Sequence, residues 1–283
     1  ILALTAISAS FHASLAQGRM RFVENKGQWP QQVTHRAEWD AATIWCEQGA
    51  VLIDLYEAGV VAKLHANIHG VPPEAVRHHA VRLEFLSALP DVATEADLLL
   101  NGRYNYFLGN DPQRWAGNAN AFGRVTMRNI APGCDAVFQE GRAGLKYDLI
   151  VAPGADPKGI RFTYDGADKL SLRDGALVVA TSLGRLVERI PLAYQDIDGE
   201  RRTVSCGYVL KDGVLGVRPG SYDRDHPLVI DPTLAFATFS GSFSNNFGYT
   251  ATFDSNGFLY AGSTAFGTAY PITTGAYQIA WAG

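Results

Sequence analysis

Apolar and polar residues alternate with a period of two along most of this chain, and this pattern constrains its fold more than any other feature. Clear examples are Val51–Tyr56, Val81–Leu86, Gly144–Val151 and Ala176–Ala180. Such alternation places successive side chains on opposite faces of a strand, whereas a helix requires a period near 3.6. Long runs with the helical period are hard to find; residues 91–100 are the main candidate for a short helix. The chain is therefore predicted to be all-β.

Asp-Gly pairs supply turn signals between these runs. Asp-Gly suits a two-residue hairpin turn, because both central positions need a positive φ angle. The pairs lie at 165–166, 174–175, 198–199 and 212–213. The last two flank the apolar run Arg202–Leu210, which predicts a three-stranded antiparallel meander.

Residues 18–232 are predicted to form a β-sandwich-like region, either as one sandwich or as two packed β subdomains. Asp231-Pro232 is the natural boundary, since a residue before proline is held extended. After it, the composition shifts to Gly, Ser, Thr, Asn and aromatic residues. A second unit is therefore expected over residues 233–283.

The composition is typical of a globular chain with one large or two ordinary domains. Of its 283 residues, 47% are hydrophobic and 18% are charged. The formal net charge of -4 gives no electrostatic reason to expect nucleic acid or an anionic membrane surface as a partner. No later stretch is apolar for long enough to suggest a transmembrane segment.

Residues 1–17 have the character of a secretory signal peptide. They contain no Lys, Arg, Asp or Glu, and Ser14-Leu15-Ala16 places small residues where a signal peptidase cleaves. Since neither an initiator Met nor a basic segment precedes them, we expect a truncated signal peptide. The protein is then extracellular or on the outer cell surface. The alternative is a buried N-terminal strand or helix.

Three cysteines, Cys46, Cys134 and Cys206, lie in strand-like or turn-flanking apolar contexts. They are predicted to be small buried hydrophobic residues. One disulfide bond with one free thiol is the alternative, because an exported protein folds under oxidising conditions.

Two groups of residues are candidate metal sites. His65 and His69, with His78-His79 close behind, would share one face of a helix as zinc ligands do. The surrounding run favours a strand leading into a loop, and hence solvated histidines. Asp196, Asp198 and Glu200, like Asp254–Gly257, suit either a calcium loop or a polar turn, and we favour the turn.

Catalytic and cofactor motifs are missing from the sequence. It contains no Gly-x-Ser-x-Gly, no phosphate-binding P-loop and no dinucleotide fingerprint. No cofactor is therefore expected, with calcium as the alternative at the acidic turns. A carboxylate pair for glycoside hydrolysis stays open, since such a pair is set by the fold and not by sequence spacing.

A dense set of aromatic and basic residues is the best candidate for a binding site. Tyr104, Arg114 and Trp115 are the candidate ligand contacts, and Tyr106 and Phe107 accompany them. If exposed, the set would stack on sugar rings or anchor a partner protein. If buried, it is core. We predict burial for Tyr106 and Phe107, and exposure for Trp115 in its polar loop.

Residues 233–283 resemble one SBBP-type β-propeller repeat of bacteria. Strands are expected at Phe236–Phe239, Tyr249–Phe253 and Phe258–Ser263. One blade cannot cover its own apolar faces, so further blades are expected downstream. Tyr270 stands where the family usually has Phe. The motifs that carry the resemblance are Thr238–Gly241, Asp254–Gly257, Tyr260–Thr264, Tyr270–Thr273 and Gly275–Gln278.

The upstream region is similar to the domain that precedes such repeats in secreted bacterial proteins. Cys134 replaces an aliphatic residue that the family usually shows, which fits a core position. The resemblance implies a large exported or surface-attached protein with further modules downstream, and it supplies no catalytic residues. The matching motifs are Phe22–Trp29, Asn105–Pro112, Tyr147–Pro157 and Pro227–Pro232.

The function that these observations favour is a non-enzymatic structural, adhesive or ligand-binding module that leads into a β-propeller. Its partner would be a glycan or a surface protein. The alternative is an exported hydrolase or lyase that acts on polysaccharide, with its active site on the propeller or further downstream. A third hypothesis is a carbohydrate-binding module that serves a neighbouring enzyme.

Overall fold

The chain is all-β, as the alternation predicts. A computed structural model describes residues 20–39, 42–57, 76–90, 92–107, 109–141, 144–232, 234–237, 246–253 and 259–265. Over these residues there are only strands, turns and two short 3-10 turns, Pro112–Arg114 and Pro157–Gly159. The signal-peptide prediction for residues 1–17 lies outside the described residues.

The described residues up to Asp165 form twelve strands. They are β1 (Phe22–Glu24), β2 (Val33–Trp39), β3 (Ala42–Glu47), β4 (Ala50–Tyr56), β5 (His78–Phe85), β6 (Thr94–Leu99), β7 (Tyr104–Phe107), β8 (Trp115–Ala119), β9 (Ala121–Ala131), β10 (Cys134–Gly141), β11 (Gly144–Val151) and β12 (Arg161–Asp165). The candidate helix at 91–100 is wrong, because β6 occupies this segment and pairs with β9.

From Lys169 onward, the described residues form eleven strands. They are β13 (Lys169–Arg173), β14 (Ala176–Thr181), β15 (Gly184–Glu188), β16 (Leu192–Ile197), β17 (Glu200–Val204), β18 (Cys206–Lys211), β19 (Val214–Pro219), β20 (Leu228–Asp231), β21 (Leu234–Ala237), β22 (Asn246–Phe253) and β23 (Leu259–Ala265).

One antiparallel sheet of 15 strands dominates the structure. Its path runs β17-β16-β20-β11-β10-β9-β1-β2-β3-β4-β5-β12-β19-β18, with β6 attached to β9 beside the path. Among the described residues this region forms one continuous hydrogen-bonded path, and the finer prediction of a sandwich or of two subdomains is not confirmed. Three smaller sheets accompany it: β13-β14-β15-β21, the hairpin β22-β23 and the hairpin β7-β8.

The two ends of the long path are joined by a single residue. β17 ends at Val204 and β18 begins at Cys206, so only Ser205 separates the strands at opposite ends of the sheet. Since consecutive Cα atoms are about 3.8 Å apart, the sheet must curl until its ends meet. Gly220 supports this corner, where its N–H donates to the Ser205 carbonyl at 2.7 Å.

The predicted meander over residues 190–220 is therefore wrong in one respect. Its central run, Arg202–Leu210, is not one strand but parts of two, β17 and β18. The chain bends at Ser205 between them, and the two strands pair with different neighbours. β17 pairs with β16, and β18 pairs with β19. The alternation of apolar residues continues through the corner, so the pattern alone did not reveal it.

Three of the Asp-Gly pairs form the predicted hairpin turns. Asp174, Asp198 and Asp212 have φ angles of 50°, 53° and 52°, and the glycine after each is also positive. These turns join β13 to β14, β16 to β17 and β18 to β19. The glycine of the fourth pair, Gly166, allows the backbone at Ala80 to pass close by. A Cβ at Gly166 would lie 2.6 Å from the Ala80 carbonyl oxygen.

The strand that follows Pro232 belongs to the small four-stranded sheet. β21 pairs with β15 in antiparallel register, from Leu234 opposite Glu188 to Ala237 opposite Arg185. Contacts divide the chain into two compact units, one of residues 20–238 and the other of residues 1–19 with 239–283. The first unit thus extends a few residues past the expected boundary. In the second, β22 and β23 form an antiparallel hairpin.

A buried carboxyl group joins the small sheet to the large one. Glu188 on β15 is 0% exposed. Its carboxylate accepts hydrogen bonds from Tyr147 at 3.1 Å, from Tyr208 at 2.7 Å, and from Tyr164. These tyrosines lie on β11, β18 and β12, which come from both limbs of the curled sheet. The four side chains form what we call the Glu188 cluster.

Burial of an ionised Glu188 in this cluster is unfavourable for the free energy of folding. Burial raises the pKa of the Glu188 carboxyl, and the three phenol hydrogen bonds offset this only in part. Burial and the nearby Glu188 charge raise the pKa of all three tyrosines well above the usual value. The Glu188 carboxyl is tolerated in the core because its two oxygens accept three hydrogen bonds. A negative charge on it does not favour folding.

The burial predicted for the cysteines is confirmed for Cys46 and Cys134 and only in part for Cys206. Cys46 and Cys134 are fully buried, Cys206 is half-buried, and all three are free thiols. Burial raises the pKa of the Cys46 thiol to about 12 and that of Cys134 to about 11. The sequence alternative of one disulfide bond is not what the structure contains.

No helix among the described residues has the length and apolarity needed to cross a membrane.

Removal of the Glu188 acceptor should be strongly destabilising. We expect Glu188→Ala to lower the free energy of unfolding by at least ~3 kcal/mol, because three tyrosine hydroxyls lose their acceptor at about 1 kcal/mol each. Tyr147→Phe, the matched control, removes one donor and should cost about 1 kcal/mol. Urea denaturation measures both. Equal costs for the two variants would contradict a shared acceptor.

The same carboxyl should give stability a defined pH dependence. The folded-state pKa of Glu188 is raised from 4.5, so protonation of this carboxyl contributes to the free energy of unfolding. This contribution is complete at pH values below 4.5 and is lost as the pH rises through the folded-state pKa. Glu188→Gln is neutral throughout, so it should become more stable relative to the wild type as the pH rises. A difference between the two that stays constant from about pH 4 to pH 8 would refute this.

The thiols should react in the order of their exposure. At about pH 8, the thiols of Cys46 and Cys134 remain protonated. The thiolate is the form that reacts with a labelling reagent such as a maleimide. We expect the native protein to label first at Cys206, and to label at all three positions only after unfolding in urea. Peptide mapping after maleimide labelling measures this. Equal native labelling of all three would contradict the buried positions.

Candidate functional site

The hairpin β7-β8 carries the most exposed aromatic residues of the described chain. Phe107 and Trp115 face each other across the two strands, where Phe107 is 70% exposed and Trp115 is 44% exposed. Their rings meet edge to face, with centroids 5.6 Å apart. This geometry is favourable for aromatic pairs, and it presents a large apolar surface to solvent. We call these two side chains the aromatic pair.

The turn between the strands fixes the tryptophan. Asp111 accepts a hydrogen bond from the Gln113 N–H at 3.0 Å and so caps the 3-10 turn Pro112–Arg114. The indole N–H of Trp115 donates to the Gly109 carbonyl at 3.1 Å. Because the only polar atom of the indole is occupied within the turn, the ring presents its apolar surface outward.

The base of the hairpin is anchored in a small core. Val23, Ala119 and Ala121 are buried there, and Tyr104 and Tyr106 pack against them. Tyr106 also meets Trp29 edge to face at 5.0 Å between ring centroids. The hairpin is therefore held firmly at one end and is exposed at the other.

Trp29 lies at the centre of a second aromatic group. Trp45 packs against it at 5.8 Å between ring centroids. The Arg36 guanidinium lies over both indoles, at 5.7 Å from the Trp29 ring and 5.1 Å from the Trp45 ring. These cation–π contacts are half-buried, so they stabilise the outer face of β2 and β3.

The motif Phe22–Trp29 forms the loop that positions Trp29. The Asn25 side chain donates to the carbonyls of Trp29, Pro30 and Val33, and its Oδ1 accepts from the Gly27 and Trp29 N–H groups. A single amide thus closes the loop. The motif Phe22–Trp29 therefore has a structural explanation.

The predicted contact residues are only partly brought together. Trp115 is exposed, as expected. Tyr104 is half-buried at the base of the hairpin and not beside the tip. Arg114 belongs to the 3-10 turn directly before Trp115, and the structure describes its backbone alone.

One of the burial predictions is wrong. Tyr106 packs on the small core as expected, but Phe107 points to solvent. Alternation along β7 puts neighbouring residues on opposite faces, and a two-stranded hairpin has a partner on only one of them. Adjacent aromatic residues in a short strand were therefore a signal that one of them is exposed.

The histidine prediction also needs correction. His65 and His69 lie outside the described residues, but His78 and His79 begin β5 and are not loop residues. His79 spans the two sheets, since its Nδ1 accepts from the Ser182 N–H at 3.2 Å and its Nε2 lies 2.9 Å from the Gly166 carbonyl. His78 contacts Asp54 at 3.0 Å.

The acidic turn does not gather its carboxylates. Asp196 makes two hydrogen bonds of 2.9 Å with Arg201, which lower the pKa of Asp196, and Asp198 occupies the hairpin turn. Within the described ranges, no group of three or more His, Cys, Asp or Glu side chains is arranged to hold a metal ion. The second candidate, Asp254–Gly257, lies outside those ranges.

The Glu188 cluster has the shifted pKa values that often mark an active site. Its carboxyl and two of its tyrosines are almost completely buried, however. A substrate cannot reach a carboxyl that is sealed by its own hydrogen-bond donors. The cluster is therefore assigned to the core. Tyr147, the first residue of the motif Tyr147–Pro157, has a structural role there as a hydrogen-bond donor to Glu188.

Substitutions in the two aromatic groups should separate binding surface from core. We expect Trp29→Ala to lower the free energy of unfolding by about 2 kcal/mol or more, since it removes packing with Trp45, Tyr106 and Arg36. Phe107→Ser should change it by no more than about 0.5 kcal/mol. Thermal and urea unfolding measure both. A large loss for Phe107→Ser would mean that the aromatic pair is part of the core.

The comparison with known proteins gives one match. A family model described as a domain of unknown function, DUF7948, matches residues 22–233. Neither a curated protein nor a solved structure gives a significant match to the chain. The matched segment begins with β1 and ends directly before β21, and it covers most of the chain. The chain therefore belongs to the DUF7948 family.

Proposed function

We propose that this chain is the exported front part of a bacterial surface or extracellular protein, and that it acts by binding rather than by covalent chemistry. The observation that carries the proposal is the aromatic pair, Phe107 and Trp115. Apolar side chains of this size are seldom left in solvent on an isolated hairpin without a ligand or partner to cover them. The ligand proposed for them is a glycan.

The shape of the hairpin supports a glycan ligand. Sugar rings have one apolar C–H face and bind by stacking on aromatic rings. The pair offers two such rings at an exposed tip, and its anchored base limits the entropy lost on binding. The indole N–H is already bonded to Gly109. Recognition by this pair is therefore expected to depend on stacking.

The architecture proposed around this module is a β-propeller that begins after residue 232. Two observations support it: the family match ends at residue 233, and the antiparallel hairpin β22-β23 follows. Short antiparallel strands with tight connections are the elements of a propeller blade. The resemblance to SBBP-type repeats, and export through residues 1–17, are part of the same proposal.

A glycan array probed with the full chain tests the binding proposal. We expect Phe107→Ala and Trp115→Ala each to weaken binding about tenfold, which corresponds to ~1.4 kcal/mol of lost stacking. Leu192→Ala is the matched control, because Leu192 is an exposed apolar residue on β16. Absence of wild-type binding, or equal loss in the control, would overturn the proposal.

A further inference from the structure

An open groove lies beside the hairpin β18-β19, away in sequence from the aromatic pair. It has a volume of about 620 Å³ and is bounded by the Pro157–Gly159 turn, the start of β12 and the two strands of the hairpin. This volume is in the range of ligand-binding clefts. We call it the basic groove, because four of its lining residues are the cations Lys158, Arg161, Lys211 and Arg218.

The floor of the groove is the outer face of the sheet. Gly216 on β19 lies opposite Val209 on β18 and opposite Arg161 on β12, so the three residues form one row across three strands. Leu215 and Val217, their neighbours along β19, are buried on the inner face. Because Gly216 has no side chain, the row has a depression at its centre.

The four cations around this floor are not held in ion pairs with other described residues. Among the described residues none of the four forms an ion pair, and Asp212 is the one acidic residue that lines the groove. Elsewhere the pattern is different, as for Arg124 with Asp97 and Arg201 with Asp196. The concentration of charge is local, since the whole chain carries a formal net charge of -4.

We infer that the basic groove binds an acidic polysaccharide, at a site independent of the aromatic pair. Guanidinium groups bind carboxylate and sulfate groups through paired hydrogen bonds, and lysines add point charges. The aliphatic floor of Val209, Val214 and Gly216 fits the C–H face of a sugar ring. A charged sugar polymer places both features, an apolar face and an anionic group, on the same ring.

The geometry disfavours the other polyanions. An acidic peptide in an extended form gains affinity from backbone hydrogen bonds at a strand edge, whereas this floor is a sheet face with its backbone groups already paired. Single-stranded nucleic acid binds through stacking on aromatic side chains, and none of the described residues that line the groove is aromatic. An acidic sugar polymer requires neither.

Charge removal is the first arm of the test. Binding of the full chain to a fluorescein-labelled oligogalacturonate is measured by anisotropy, and dextran sulfate is used as competitor. We expect Arg161→Gln/Lys211→Gln to weaken binding at least about tenfold at low salt. Lys169→Gln/Arg173→Gln is the matched control, because it removes the same charge from exposed positions on β13. The control should bind as the wild type does.

A steric variant is the second arm, and it changes no charge. The Cβ at Gly216 would lie 3.4 Å from the Ile160 carbonyl oxygen, an ordinary contact, and the residue does not have a positive φ. Gly216→Ala should therefore fold, with an unchanged melting temperature, and should weaken oligogalacturonate binding because it begins to fill the depression. Gly216→Val, which is larger, should weaken binding further, and its melting temperature is measured alongside.

The outcomes separate the alternatives. Binding of oligogalacturonate, dextran sulfate or both, with loss in the groove variants and none in the β13 control, supports the inference. Equal loss in the control would indicate non-specific charge attraction and overturn it, as would tighter binding of poly-L-glutamate than of oligogalacturonate. Trp115→Ala should leave this binding unchanged, so failure of the glycan proposal for the aromatic pair is observed separately.

Discussion

A single carboxyl group in the interior determines how the parts of this domain fit together. Glu188 stands at the end of β15, and its three tyrosine donors come from both limbs of the large sheet, one from β11 and two from β12 and β18 near the other end of the path. They can meet at one carboxylate only if the sheet curls and if the small sheet lies within reach of both limbs. The hydrogen bonds therefore report the tertiary arrangement directly. The cost of burying the carboxyl is offset by apolar packing around it, where Leu177, Val179 and Leu186 are fully buried.

The curl of the sheet has a covalent cause as well. The strands at the two ends of the path are neighbours in sequence, with Ser205 between them. Long antiparallel sheets normally leave two edges that invite pairing with other chains. Here the chain itself brings the edges together, and the outer face of β18 and β19 next to this corner becomes the floor of the basic groove. The bend at Ser205 thus contributes both to the closure of the sheet and to the position of the basic groove.

The sequence predicted local structure well and long-range structure poorly. β11 has the predicted bounds Gly144–Val151, and three Asp-Gly turns are where they were expected, since alternation and turn chemistry are local properties. The corner at Ser205 and the pairing of β12 with β19 depend on contacts between distant segments, which one sequence does not encode in a readable pattern.

The candidate sites follow the same rule. The exposure of Trp115 is predictable because a polar loop surrounds it, whereas the burial predicted for Phe107 fails because alternation does not say which face of a hairpin has a partner. No sequence pattern indicates the basic groove. Lys158 and Arg161 are separated from Lys211 and Arg218 by about a fifth of the chain, and each pair alone is an ordinary surface feature.

The position of β21 has a mechanical consequence. Everything that follows Ala237 is attached through a strand that is hydrogen-bonded to β15, the strand that carries Glu188. Tension on the downstream chain is therefore borne first by this ladder and then by the hydrogen-bonded core behind it. Such an attachment makes the part of the domain around Glu188, with its many hydrogen bonds, the point at which a force on the downstream chain enters.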